Sequence, residues 1–181
     1  MRSDSDGGAA IREAAASDCA AIADIYNHYI TDTVVTFEEE VVPVAEIARR
    51  VEEVRSASFP WLVAEADERV VGYAYAKPWH ARSAYRFAAE ITVYLAPTHV
   101  GRRIGSKLYG ELFPILQARR IHTVLGGIAL PNGASVALHE KFGLRKVAHY
   151  GEIGFKFDRW IDVGYWQRVF EAGEGSETLW R

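Results

Sequence analysis

Apolar positions recur along this chain with two periods, near 3.6 and near 2 residues, and the alternation between them divides it into helices and strands. Residues 10–14 read as a short first strand. Ser17 and Asp18 then offer side-chain oxygens to cap a helix that carries Ile22, Ile25, Tyr26 and Tyr29 on one face. Residues 31–43 break that spacing, with Phe37 in the connection, and a second amphipathic helix begins near Pro43 or Val44, marked by Ile47, Val51 and Val54. The runs at 60–66 and 70–76 are apolar and β-prone, and the turn Asp67-Glu68-Arg69 between them predicts an antiparallel hairpin. A further strand covers residues 87–96 (FAAEITVYLA) and stops at Pro97. Helical spacing returns over 104–118 with Leu108, Leu112, Ile115 and Leu116, where the internal Pro114 is expected to kink the helix or perturb one turn. Residues 124–130 form a strand, Pro131-Asn132-Gly133 a turn, and 134–142 a helix ended by Gly143. The remainder, 144–170, reads as two strands around Asp158-Arg159-Trp160.

The resulting order, β-α-α-β-β-β-α-β-α-β-β, predicts an α+β sandwich whose sheet is covered by helices on both sides. Residues 10–170 make one domain, between a polar lead at 1–9 and a polar tail at 171–181. With 181 residues, 49% of them hydrophobic, the chain has enough apolar material for one sizeable core. Lysine plus arginine total 21 against 24 acidic residues, so no single-sign field covers the surface and nucleic acid is a poor candidate partner. Cys19 is the lone cysteine, which excludes an internal disulfide framework, lacks the His/Cys neighbours of a zinc site and fits a reducing cytoplasm. No metal is expected. The first residues lack the basic-then-apolar pattern of a signal peptide, and no run reaches the roughly 18 apolar residues of a membrane span. The expectation is a cytoplasmic protein with no membrane partner.

The chemistry begins at VGRRIGSKL, residues 100–108, which lies between a strand and a helix. Consecutive backbone N–H groups and a helix N-terminus there converge on one spot, and Arg102, Arg103 and Lys107 add positive charge suited to a pyrophosphate. A P-loop needs four residues between its glycines, whereas Gly101 and Gly105 enclose three; the dinucleotide fingerprint GxGxxG is absent. The turn instead resembles the Arg/Gln-x-x-Gly-x-Gly/Ala loop of GNAT acetyltransferases. Val100 stands for the usual Arg/Gln, Arg103 for the first glycine, and Gly105 matches the last. The segments PWLVAE (60–65), AYAKPWHARSAY (74–85), AEITVY (89–94), GSKLY (105–109), LPN (130–132), LHE (138–140) and GFKFDRWIDVGYWQ (154–167) all resemble phosphinothricin and methionine sulfoximine acetyltransferases, and the likeness spans residues 11–170.

This resemblance implies the GNAT fold, a central mixed and mostly antiparallel sheet flanked by helices, with acetyl-CoA as cosubstrate, a small amino acid as acceptor and a homodimer. Acetyl transfer to an amine needs a neutral amine, and an α-ammonium with a reference pKa of about 7.7 to 8.0 calls for a base. The resemblance makes Glu90 that base, although a solvent-facing strand glutamate has the same sequence appearance. It makes His139 a second catalytic group, and Tyr109, one helical turn past Gly105, is a candidate proton donor to the leaving thiolate. Val93, Tyr94 and Leu95 correspond to the strand that pairs with the pantetheine arm, where a backbone N–H can bind the thioester oxygen. The turn residues Gly101, Arg102, Arg103, Ile104, Gly105 and Ser106, together with Asn132, complete the cofactor set. Phe37, His80, Ala81, Arg82 and Tyr85, beside Trp79, form the substrate set, in which Arg82 can bind a carboxylate or phosphinate with its forked donors. Two rival readings are a non-catalytic acetyl-CoA sensor and an acetyltransferase for another small amine.

Overall fold

The structure, a computed structural model, describes residues 8–171; the expected lead falls almost wholly outside these residues, as does the tail beyond 171. Seven strands and four α-helices follow the expected order: β1 (Ala10–Glu13), α1 (Cys19–Asp32), α2 (Val44–Ser56), β2 (Trp61–Ala66), β3 (Arg69–Pro78), β4 (Ala88–Leu95), α3 (Ile104–Ala118), β5 (Thr123–Leu130), α4 (Gly133–Lys141), β6 (Arg145–Lys156) and β7 (Arg159–Val169). They form one sheet of order β1-β2-β3-β4-β5-β7-β6. Every neighbouring pair is antiparallel except β4 and β5.

Alternation along the strands sends apolar side chains to both faces, and two cores result. Val63, Tyr73 and Trp61 meet Ile22, Ile30, Ile47 and Val51 of α1 and α2 on one side. Leu62, Ala74 and Ile91 meet Leu108, Leu112 and Leu116 of α3 on the other, with Leu138 of α4 packed against them. The helical periods read from the sequence are therefore the buried faces. Pro114 does not end α3, which runs unbroken over 15 residues. Among the described residues no helix is long and apolar enough to cross a membrane.

Two local expectations change. Asp18 does not cap α1. Its carboxylate is buried and taken by Arg12 of β1, at 2.6 and 2.9 Å, and by the N–H of Ala15 at 2.7 Å. The Arg12 hydrogen bonds hold the Asp18 pKa below the usual carboxylate value, against burial, which acts the other way. Both β-hairpins also turn in two residues where the polar triplets suggest three, the first starting at Asp67 as expected and the second one residue early, at Phe157. Asp67 and Glu68 have φ of 50° and 58°, and Phe157 and Asp158 have φ of 52° and 56°. Such two-residue left-handed turns match the twist of the flanking strands, so Arg69 and Arg159 already belong to β3 and β7.

Candidate active site

The site originates where the sheet splits. β4 and β5 are partners only through Ala88–Thr123, Ala89–Val124 and Glu90–Leu125. Beyond Glu90, β4 continues along β3 while β5 continues along β7, and the two strands part. The N–H of Trp79 bonds the carbonyl of Ala88, and the N–H of Ala96 bonds the carbonyl of Val71. Even-numbered residues of β4 thus turn their backbone groups to β3, and those of Ile91, Val93 and Leu95 face the opening. A cleft of about 160 Å³ lies there, lined by Glu90, Val93, Tyr94, Tyr109, Asn132 and His139, with Val35, Gly127 and Ser135.

Glu90 looks into the cleft from the α1/α2 face of the sheet. Its register partner on β3 is Lys77, whose Nζ lies 3.0 Å from Glu90 Oε2. Burial works against the Lys77 ammonium, but the charge and hydrogen bond of Glu90 outweigh it and hold the Lys77 pKa above its ordinary value. Tyr94, four residues on, packs its ring against Tyr26 and Tyr29 at centroid distances of 5.2 and 5.0 Å. The Tyr29 hydroxyl donates to the carbonyl of Leu95 at 2.7 Å, so that acceptor of the open edge is already engaged.

His139 and Tyr109 enter from the opposite face. His139 is 3% exposed, and its Nδ1 lies 2.8 Å from the carbonyl of Ser135, a group that only accepts. Nδ1 therefore carries the ring proton, and Nε2 is left to accept from the Tyr109 hydroxyl at 3.1 Å. Burial lowers the His139 pKa, opposed in part by the Ser135 bond, and the net shift favours the neutral ring. Burial also pushes the Tyr109 pKa far above the ordinary phenol value. The imidazole lies so close to β5 that a Cβ placed on Gly126 would fall 2.6 Å from His139 Cδ2, and closer still to Nε2.

The basic turn leads into α3. Gly101 and Arg103 have φ of 83° and 60°, so Arg103 takes the left-handed conformation that suits glycine. No side chain caps α3, and the N–H groups of its first turn stay directed at the turn. Ile104 and Gly105 are buried against the sheet, while Arg102 and Arg103 are exposed. Lys141 of α4 donates to the Ser106 hydroxyl at 2.9 Å. Asn132 caps α4 through Oδ1, which accepts from Ser135 N at 3.1 Å, and it also lines the cleft.

A wider, apolar hollow of about 560 Å³ adjoins the cleft and is lined by Phe37, Trp79, His80, Leu125, Tyr150 and Tyr165, among others. Leu125 is the register partner of Glu90, and Gly127, which lines the cleft, is the partner of Tyr165, so the two spaces share a wall. Phe37 is held there by packing on Gly154 and by the buried Lys156, which donates to the carbonyl of Thr36 at 2.9 Å. Among the sequence candidates, Phe37 and His80 reach this hollow. Ala81 and Arg82 are exposed on the turn that follows His80, and Tyr85 lines a different hollow with Phe87 and His122. Sequence reasoning missed Lys77, Tyr165, Ser135 and Gly126. A lysine in the apolar run of β3, set against a glutamate in β4, was the available signal for the first; the others needed the fold.

Residues 11–164 match the family described as Acetyltransferase (GNAT) domain. The chain is 42% identical to a phosphinothricin N-acetyltransferase of Streptomyces viridochromogenes over 161 residues, covering 89% of this chain and 87% of that one. It is 35% identical to an L-methionine sulfoximine/L-methionine sulfone acetyltransferase of Salmonella typhimurium over 159 residues, covering 87% and 92%. The crystal structure of a GNAT superfamily phosphinothricin acetyltransferase from Sinorhizobium meliloti in complex with AcCoA superposes with a TM-score of 0.89 at 32% identity, covering 95% of this chain and 94% of that one.

Proposed function

This chain belongs to the GNAT acetyltransferase family, and we propose that it transfers an acetyl group directly, in a ternary complex, to the α-amine of a small amino acid such as phosphinothricin, methionine sulfoximine or methionine sulfone. It is an acyltransferase of the phosphinothricin and methionine sulfoximine type, with acetyl-CoA as donor. The single observation that carries the finer reading is the cleft at the split of β4 and β5, with a carboxylate on one wall and a neutral histidine–tyrosine pair on the other.

The residues present fit the donor. The open β4 edge at Ile91 and Val93 offers peptide groups to an amide-bearing arm, and the uncapped α3 start with Arg102, Arg103 and Lys107 offers N–H groups and charge to a pyrophosphate. Acetyl-CoA supplies the activated acetyl group as a thioester. Glu90 takes a proton from the α-ammonium, so that the amine reaches the cleft with its lone pair free. A backbone N–H of the β4 edge stabilises the charge that develops on the carbonyl oxygen. The Tyr109 hydroxyl, bonded at rest to His139 Nε2, is the proton source on the far wall when its O–H turns from that nitrogen to the leaving thiolate. The hollow beside the cleft holds the amino acid side chain between Trp79, Tyr165 and Phe37.

The test is release of free thiol from acetyl-CoA with a panel of acceptors. Phosphinothricin, methionine sulfoximine and methionine sulfone should be acetylated well and methionine far more slowly, because a tetrahedral polar head can bond the polar ends of His80, Tyr150 and Tyr165 in the hollow and a thioether cannot. Good turnover of polyamines or peptide N-termini with none of these three would overturn the substrate assignment.

A further inference from the structure

We propose that Lys77, paired with Glu90 across β3 and β4, is a specificity residue that receives the α-carboxylate of a free amino acid, selecting free amino acids against peptide N-termini and simple amines. The inference rests on the reading of Glu90 as the wall that faces the amine.

Lys77 and Glu90 are register partners on the same face of the sheet, and their charges lie 3.0 Å apart. The pair is not sealed: the Lys77 side chain is 47% exposed and that of Glu90 24%. Lys77 also shares its face of β3 with Trp79, whose ring meets Tyr165 edge-on at 5.5 Å. Trp79 and Tyr165 line the wide hollow and Glu90 lines the cleft, so Lys77, which lines neither, meets the cleft through its contact with the Glu90 carboxylate. Arg82, the cation expected to bind a carboxylate, is exposed on the turn, whereas Lys77 is the cation set against the cleft-lining Glu90.

A free amino acid carries an ammonium and a carboxylate on one carbon. Laid against an ammonium and a carboxylate 3.0 Å apart, it places each charge beside an opposite one, with its ammonium on Glu90 and its carboxylate on Lys77. Glu90 can then exchange one cation for another without leaving the Lys77 charge unmet. A peptide N-terminus presents a neutral carbonyl at that point, and a simple amine presents nothing. Either one must draw Glu90 from Lys77 with no anion to replace it. A hydrogen bond between charged groups in a partly buried setting corresponds to a preference of roughly ten- to a hundredfold. A surface ion pair that merely tied two strands together would contribute little and would favour no acceptor over another.

The experiment compares kcat/KM for methionine sulfone and for its carboxamide, which differ only in the negative charge, in the full-length wild type and in Lys77→Met, Lys77→Gln and Lys77→Arg. Thermal protection by acetyl-CoA, equal in all four proteins, serves as the check on folding. Wild type should prefer the acid by about ten- to a hundredfold. Lys77→Met and Lys77→Gln should abolish that preference by raising KM for the acid while the carboxamide, which no longer has to draw Glu90 from Lys77, gains, and Lys77→Arg should retain the preference. Equal losses for acid and carboxamide in Lys77→Met and Lys77→Gln would mean that Lys77 only holds Glu90 in place, and would overturn the assignment, as would an undiminished preference. Turnover of neither compound by wild type would overturn the substrate reading itself, and this assignment with it.

Discussion

Replacing Gly126 with alanine tests the far wall of the cleft without touching a reacting group. The added methyl would stand 2.6 Å from His139 Cδ2 and nearer to Nε2, where ordinary contact needs about 3.4 Å or more, so the imidazole must retreat by close to 1 Å. It cannot do so freely, because Nδ1 is tied to Ser135 O at 2.8 Å and Nε2 to Tyr109 at 3.1 Å, and the ring is 3% exposed. Overpacking of this kind costs about 1–3 kcal/mol, and weakening two buried hydrogen bonds adds about 1 kcal/mol. The sum, roughly 2–4 kcal/mol, corresponds to a Tm lower by about 5–15 °C for a domain of this size.

Turnover should fall with it, because the displaced ring no longer holds the Tyr109 hydroxyl in place beside the cleft. With saturating acetyl-CoA and acceptor, a loss of at least about tenfold in kcat is expected at a temperature where the variant is still folded. Scanning calorimetry and single-turnover thiol release measure the two quantities separately. A Gly126→Ala protein with wild-type Tm and wild-type kcat would refute both the tight placement of His139 and its part in the reaction.

Glu90→Gln should reduce kcat by about 100-fold at neutral pH and less at high pH, where the acceptor amine is already neutral; near-full neutral activity in a folded variant would remove Glu90 as the base. Because the folded His139 pKa lies below the reference 6.5, the unfolded chain binds a proton that the folded chain does not as pH falls below that value. Stability should therefore decline as pH falls below about 6.5, and His139→Gln should flatten that decline in Tm measured from about pH 7 downward. Arg103→Gly should raise stability by up to about 1 kcal/mol by relieving the left-handed residue, yet raise KM for acetyl-CoA, more at low salt than at high; an unchanged KM would show that the side chain takes no part in binding. Arg12→Ala strands the buried Asp18 carboxylate and should lower stability by about 1–3 kcal/mol at neutral pH, a loss that shrinks as pH falls below the ordinary carboxylate value because Asp18 then no longer needs the arginine; calorimetry at pH 7 and pH 3 checks it.

The order of elements was legible because each strand and helix carries its own period, as AAEITVYL does for β4 and Ile47, Val51 and Val54 do for α2. Partnership between strands is a different kind of information. Nothing in AAEITVYL says that its ladder to β5 ends at Glu90, since alternation reports which face a residue takes and never which neighbour stands beside it. Asp18 misled for a related reason: a local cap was the nearest use for its carboxylate, but the fork of Arg12, brought in from β1, outcompetes it. Lys77 was passed over because a lysine beside a proline at the end of a strand looks like a solvated edge, and only the β3–β4 register sets it on Glu90. The departure at Arg103 was visible in sequence, whereas its consequence, a non-glycine residue at φ 60°, was not.

The cleft also explains why β5 carries two consecutive glycines, residues that weaken a strand interior. Successive residues of a strand point to opposite faces, so Gly126 and Gly127 remove the side chain from both faces at one place, immediately past Leu125, where β4 departs. On one face the gap admits His139; on the other it admits Tyr165, whose ring would stand 3.2 Å from a Cβ on Gly127. The wall of the cleft on that side is consequently bare backbone, and groups from both layers of the fold can close on the same space. A strand so thinned, and unpaired with β4 beyond Leu125, keeps its course because its other edge is laddered to β7 along its whole length, from Thr123 opposite Val169 to Leu130 opposite Asp162. The long β6–β7 hairpin is in this sense part of the candidate active site, since it holds in place the strand that the cleft separates from its other neighbour.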